Sequence, residues 1–134
     1  MRKAMMVGVA MLAAGAAAAQ EVVVPVEVTQ SATAQVTLKL YPFLTEEEVQ
    51  FLRIMATNDQ ALAVLVPAGG GFGAMAVAPK EGFVRKGAPV PSATAVAQFP
   101  DAVTAAADAL AKCNAARKRG PDCLVVLEVA PLTQ

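Results

Sequence analysis

Cys113 and Cys123 are the only cysteines in the chain, and they constrain what it can fold into more than any other feature. The segment before them, Asp101 to about Lys118, reads as a helix. Asp101 is placed to cap it, alanines fill it, and Val103, Ala107, Leu110 and Cys113 or Asn114 recur at helical spacing. Arg117, Lys118 and Arg119 cluster at its C-terminal end, where cations suit the helix dipole, Gly120 supplies a stop and Pro121 bars continuation. From Cys123 to Val129 apolar residues alternate as in a strand, with Cys123, Val125, Leu127 and Val129 on one face. A bridge between the two thiols therefore ties the inner face of a helix end to the first residue of a strand. Closing a loop this short stabilises a fold by about 2.5–3 kcal/mol on the chain-entropy estimate. The nine intervening residues do not make the close spacing of a thiol oxidoreductase, and two thiols alone cannot close a zinc site.

A disulfide requires an oxidising compartment, and the N-terminus supplies the matching expectation. Arg2 and Lys3 form a positive start, Met5 to Ala14 an apolar stretch, and Ala17-Ala18-Ala19 a small-residue cleavage site. Residues 1–19 read as a signal peptide, with Gln20 the new N-terminus and the periplasm the expected location. The apolar core is short for a bilayer span, which takes about 20 apolar residues, so no membrane span is expected after cleavage. Losing Arg2 and Lys3 leaves nine basic against eleven acidic residues. That balance lacks the basic face that nucleic-acid binding needs. The remaining ~115 residues make one small domain of the kind that profits from a covalent staple.

Within that domain, residues 20–35 read as an irregular lead-in or edge strand, with Val22 to Val24 interrupted by Pro25. The alternation of Val36, Leu38 and Leu40 predicts a strand over 35–41. In Leu44-Thr45-Glu46-Glu47-Glu48-Val49, Thr45 and Glu48 have capping-box spacing, and Leu44 and Val49 occupy the positions of a hydrophobic staple. The helix that follows should run to about Thr57, with Leu52, Met55 and Ala56 inward and Asn58-Asp59 ending it. The three glutamates read as helix-start chemistry on a solvated face rather than a cation site. Two apolar runs, 61–66 and 73–78, joined by a glycine-rich stretch, predict a hairpin. The glycines lead into a strand and lack the Gly-Lys-Ser/Thr of a phosphate loop. Residues 79–92 form the longest polar loop and carry Lys80, Glu81, Arg85 and Lys86. Long loops in small domains are mobile or functional, and these four residues mark the candidate binding surface. Residues 93–98 read as a further short strand.

Several chemistries are closed. The chain has no histidine, which removes the Ser/His/Asp and Cys/His nucleophilic arrangements and the commonest metal ligand. With no tryptophan and one tyrosine, stacking platforms for sugars or bases are poorly supplied. No carboxylate pair stands out for acid/base work, and no metal site or cofactor is expected.

Three stretches carry a resemblance: Leu44-Thr45-Glu46-Glu47-Glu48; Gly73-Ala74-Met75-Ala76-Val77-Ala78-Pro79 with Glu81-Gly82; and Ala109-Leu110-Ala111-Lys112-Cys113-Asn114-Ala115 through Asp122-Cys123-Leu124-Val125-Val126. Over roughly residues 40–131 the chain resembles a family of small exported alphaproteobacterial proteins with no established function. More broadly it is similar to the uncharacterised DUF4189-type domain, in which a Gly-Ala-hydrophobic-Ala strand precedes an Ala-Leu-x-x-Cys helix and a Cys-hydrophobic strand. Some members carry the label 5-aminolevulinate synthase. That activity needs pyridoxal phosphate on a lysine and a large fold to hold it, which an exported domain of this size cannot house. Relatives tend to have histidines before the second helix, where this chain has Gln98-Phe99-Pro100, so a histidine-based role is not implied.

The expectation is an α+β domain over residues 36–134, with a small, mainly antiparallel sheet, two helices and one helix-to-strand disulfide. Its expected function is non-enzymatic binding or envelope association, with a periplasmic protein or envelope component as partner. The alternatives are a small hydrolase or ligand-processing enzyme using carboxylate or lysine chemistry, and an inhibitor of a secreted enzyme.

Overall fold

A computed structural model describes residues 24–31, 33–65 and 71–132. The expected signal peptide and residues 20–23 lie outside the described residues. Seven strands and three helices follow in the order β1 (Val26–Gln30), β2 (Ala34–Lys39), α1 (Glu46–Thr57), α2 (Asp59–Leu65), β3 (Phe72–Val77), β4 (Val84–Arg85), β5 (Ala88–Pro89), β6 (Thr94–Phe99), α3 (Ala102–Ala116) and β7 (Leu124–Pro131). Five strands form one antiparallel sheet in the order β1-β2-β7-β3-β6, and β4 and β5 form a separate small hairpin. The fold is α+β, as the sequence predicts. The C-terminal strand β7 is central, hydrogen-bonded to β2 on one side and β3 on the other.

Helices cover both faces of the sheet, and the alternation of β3 shows how. Met75 and Val77 join Leu52, Met55 and Ala56 of α1, Leu62 of α2, and Val36 and Leu38 of β2 in one apolar cluster. Ala74 and Ala76, with Ala78 just beyond the strand, join Ala105, Ala109 and Cys113 of α3 in a second. Successive strand residues point to opposite faces, so the two clusters are separate cores on either side of one sheet. The second core is built almost wholly from small side chains, which let α3 lie close against β3.

That packing corrects the expected orientation of α3. Of the expected stripe of Val103, Ala107, Leu110 and Cys113 or Asn114, Cys113 is buried, but Val103 is 77% exposed and the other buried residues of the helix are Ala105 and Ala109. Helical periodicity was carried by the bulkier residues, whereas the close approach to Ala74 and Ala76 selects the smallest ones. The helix also ends earlier than expected, at Ala116, with Arg117 in an extended conformation as its cap. Gly120 adopts its positive φ of 86° in the loop beyond, against the Lys80 side chain.

Two further expectations are corrected. The apolar run from Ala61 is helical, part of α2, so the described residues form three helices and β3 finds its hairpin-like partner in β6. Asn58 does not merely end α1. Its Oδ1 accepts the Ala61 N–H at 3.0 Å, and Asp59 places a carboxylate in the new first turn, so the pair starts a helix. In β7, Cys123, Val125, Leu127 and Val129 do not share a face. The register steps from Met75↔Leu127 to Ala76↔Val125, which leaves Val126 as an extra residue. Such a bulge reverses the alternation. Cys123 and Val125 accordingly face α3, and Leu127 and Val129 face α1.

The disulfide joins Cys113 in the last turn of α3 to Cys123 just before β7, with Cα atoms 6.2 Å apart. Asn114 reinforces the same junction, its Oδ1 accepting the Cys123 N–H at 2.8 Å. Among the described residues, no helix is long and apolar enough to cross a membrane.

Candidate functional site

The charged residues of the 79–92 loop do not converge on one surface. Glu81 is anchored toward the end of α3. One carboxylate oxygen accepts the Ser92 hydroxyl, and the other accepts the backbone N–H groups of Lys118 and Arg119 at 2.8 and 3.1 Å. The Ser92 hydrogen bond, followed by that from the Lys118 N–H, holds the Glu81 carboxyl below its usual range. Lys80 is exposed with its stem beside Gly120. Lys86 (φ 57°) and Gly87 (φ 76°) make the two-residue turn between β4 and β5, the left-handed pair that tight hairpins require.

Arg85 turns the other way, to the start of α1, where it meets a residue the sequence placed on a solvated face. Glu48 is fully buried. Its Oε1 accepts the Thr45 N–H at 3.0 Å and so completes the capping box, while the Glu48 N–H donates to the Thr45 hydroxyl. Its Oε2 accepts the N–H groups of Phe83 and Val84 at 2.7 and 2.9 Å, and Arg85 adds Nε to Oε2 at 3.2 Å and Nη2 to Oε1 at 3.3 Å. Burial works against the charged form of Glu48. Arg85 and the N–H groups of Thr45, Val84 and Phe83 outweigh it, so the carboxyl sits below its usual range. One buried carboxylate therefore clasps the β4–β5 hairpin onto α1.

The clasp positions the apolar half of the same loop, which the polar residues had concealed. Phe83, Val84, Pro89 and Val90 form one wall of a cleft of about 440 Å³. Phe51, Ile54 and Met55 of α1 and Ala61 and Val64 of α2 form another, and Met75, Ala93 and Ala95 line the remainder. Every lining side chain is apolar. Phe51, Ile54 and Val64 are left 42%, 51% and 82% exposed, so the cleft opens to solvent through hydrophobic residues. A sequence signal for it exists in α1. Phe51 and Ile54 widen its apolar arc beyond the Leu52–Met55–Ala56 stripe that the core uses, and a stripe wider than the core needs implies a second apolar contact.

Apolar surface buried in such a cleft is worth roughly 25 cal/mol per Å², and among the described residues no lining side chain can transfer a proton or attack a carbonyl. Among the described residues, no group of three or more Cys, Asp or Glu is placed to hold a metal ion. Comparison with protein-family models, with curated proteins and with solved structures finds no match to this chain, so the resemblance to the exported family rests on the residues quoted for it.

Proposed function

We propose that the protein is exported to the periplasm and acts there as a non-catalytic binding protein, with the cleft between α1, α2 and the β4–β5 hairpin as its binding site for an apolar ligand. The observation that carries this is the uniformly apolar lining of an open cleft, because soluble proteins seldom leave such a patch exposed without a use for it. In this proposal the 79–92 loop contributes through Phe83, Val84, Pro89 and Val90, while Glu81 and Arg85 hold it in place. Four carboxylates favour binding over hydrolysis. Glu27, Glu48, Glu81 and Asp101 all have pKa values shifted downward, whereas a general acid at neutral pH needs the opposite shift.

The test is fluorescence titration of the oxidised protein with N-phenyl-1-naphthylamine, a neutral apolar dye. Saturable one-to-one binding is expected, and Val64→Glu and Ile54→Glu, both at exposed positions, should weaken it by at least about tenfold by placing a charge in the apolar wall. A folded protein that gives no saturable signal, or variants that bind as well as the parent, would refute the assignment. Export is tested separately by the intact mass of protein recovered from periplasm. Residues 20–134 less two hydrogens is the expected species, and a full-length or reduced mass refutes the compartment.

A further inference from the structure

We infer that the protein self-associates through β1, two copies pairing antiparallel about Val28 so that their sheets become continuous. Among the described residues β1 has one neighbour in the sheet, β2. The hydrogen bonds at the two ends of the β1–β2 pair fix which backbone groups are used. Leu40 N–H donates to Pro25 C=O at 2.9 Å, and Ser31 N–H to Ala34 C=O at 2.8 Å. Bonded and non-bonded pairs alternate along an antiparallel ladder. Glu27 and Thr29 therefore exchange bonds with Leu38 and Val36, and the N–H and C=O groups of Val26, Val28 and Gln30 point away from β2.

The side chains at those positions are also exposed. Val26 is 55% and Val28 57% accessible, and both lie on the face opposite α1. The helix on that face, α3, packs on β3, β6 and β7 and does not extend over β1. The other edge of the sheet is different. In β6, Gln98 has a φ of 68° and the register with β3 is broken between Phe72 and Ala74, irregularities of the kind that protect an edge from pairing. Strand β1 has no such break.

The sequence of β1 is complementary to itself in one register. Centring the two-fold axis on Val28 sets Val28 opposite Val28 of the second copy and Val26 opposite Gln30, so all three outward residues are paired. Glu27 then faces Thr29 on the α1 side, and its charge is already held by Arg53 of its own chain at 2.6 Å. A centre at Glu27 sets two carboxylates against each other, which costs stability, and a centre at Thr29 leaves Val26 outside the ladder. A single strand pair buries less than a standard stable interface, so the dimer is weak and concentration-dependent.

Sedimentation and amide hydrogen exchange across a dilution series test this together. Weight-average mass should rise toward that of two copies with concentration, and the amides of Val28 and Gln30 should gain at least about tenfold protection. Those of Glu27 and Thr29 should stay constant. Val28→Lys, and independently Val26→Lys, should abolish both effects while leaving the thermal midpoint of the dilute protein unchanged. The proposal is overturned by a mass that stays at one copy, by a Val28 amide whose protection does not vary with concentration, or by association that both lysine variants retain. None of these outcomes depends on whether the apolar cleft binds a ligand.

Discussion

Removing Glu48 should be among the most damaging single changes in the domain, and its pH dependence identifies the cause. In Glu48→Ala the Phe83 and Val84 N–H groups lose their acceptor in a site closed to water. An orphaned buried donor costs about 1–3 kcal/mol, and the capping interaction with Thr45 adds about 1 kcal/mol. Arg85 remains about one-third exposed and can turn to solvent, so the full cost of stranding a buried partner is not incurred. The two orphaned donors and the cap together place Glu48→Ala at about 3–7 kcal/mol. Glu48→Gln keeps the shape but presents an amide NH₂ where donors converge, and should cost about 2–3 kcal/mol. Both values are a large part of the roughly 5–15 kcal/mol that a domain of this size possesses. With no tryptophan present, urea unfolding is best followed by far-ultraviolet circular dichroism, comparing midpoints at unchanged slope. Because the folded-state pKa of Glu48 lies below its ordinary value of 4.5, its contribution is complete above that value and is lost as pH falls through the folded pKa. The gap between wild type and Glu48→Gln should therefore be widest near neutrality and close as the acid range is entered. A gap of the same size at pH 7 and at about pH 3, or a Glu48→Ala cost below about 1 kcal/mol, refutes the clasp. Glu47→Ala, at an exposed neighbouring position, should fall within about 0.5 kcal/mol of wild type.

The remaining predictions concern the second core and its staple. Opening the bridge with Cys113→Ser and Cys123→Ser together should lower stability by about 2–3 kcal/mol, and wild-type protein under reductant should reproduce the loss in the same urea assay. Ala109→Leu should cost at least about 1–3 kcal/mol, because α3 has no room for a larger residue against Ala74 and Ala76. Val103→Ala, on the outer face of the same helix, should leave the thermal midpoint nearly unchanged; equal effects at the two positions would restore the orientation expected from periodicity.

What could be read from the sequence depended on how far apart the interacting groups lie along the chain. The Thr45–Glu48 capping box spans three residues and the Cys113–Cys123 bridge ten, and both were evident. The burial of Glu48 was not, because its other partners are 35–37 residues away and capping-box spacing marks Glu48 as a helix-start residue without showing that it is buried. The run from Ala61 to Leu65 suits either a strand or a helix turn, and Asn58 decides it by offering a cap. The reversal within β7 depends on its pairing with β3 and has no local sign. In the 79–92 loop, charge drew attention to Lys80, Glu81, Arg85 and Lys86. The structure sends Glu81 and Arg85 to hold the loop, and the cleft is formed by the apolar residues between them.

The place of β7 bears on when this chain can fold. Strands β1 and β2 pair with each other, as do β3 and β6, but among the described residues no sheet hydrogen bond joins those two pairs except through β7. A chain emerging N-terminus first, from a ribosome or across a membrane, thus carries two unconnected strand pairs and two half-built cores until β7 arrives. Strand pairs of this size are marginal in water on their own, and contacts between distant residues form late because loop closure must come first. Folding is deferred by topology until β7 has emerged, and with it the pairing of Cys113 and Cys123. A chain that must remain extended while it is threaded through a pore gains from that delay.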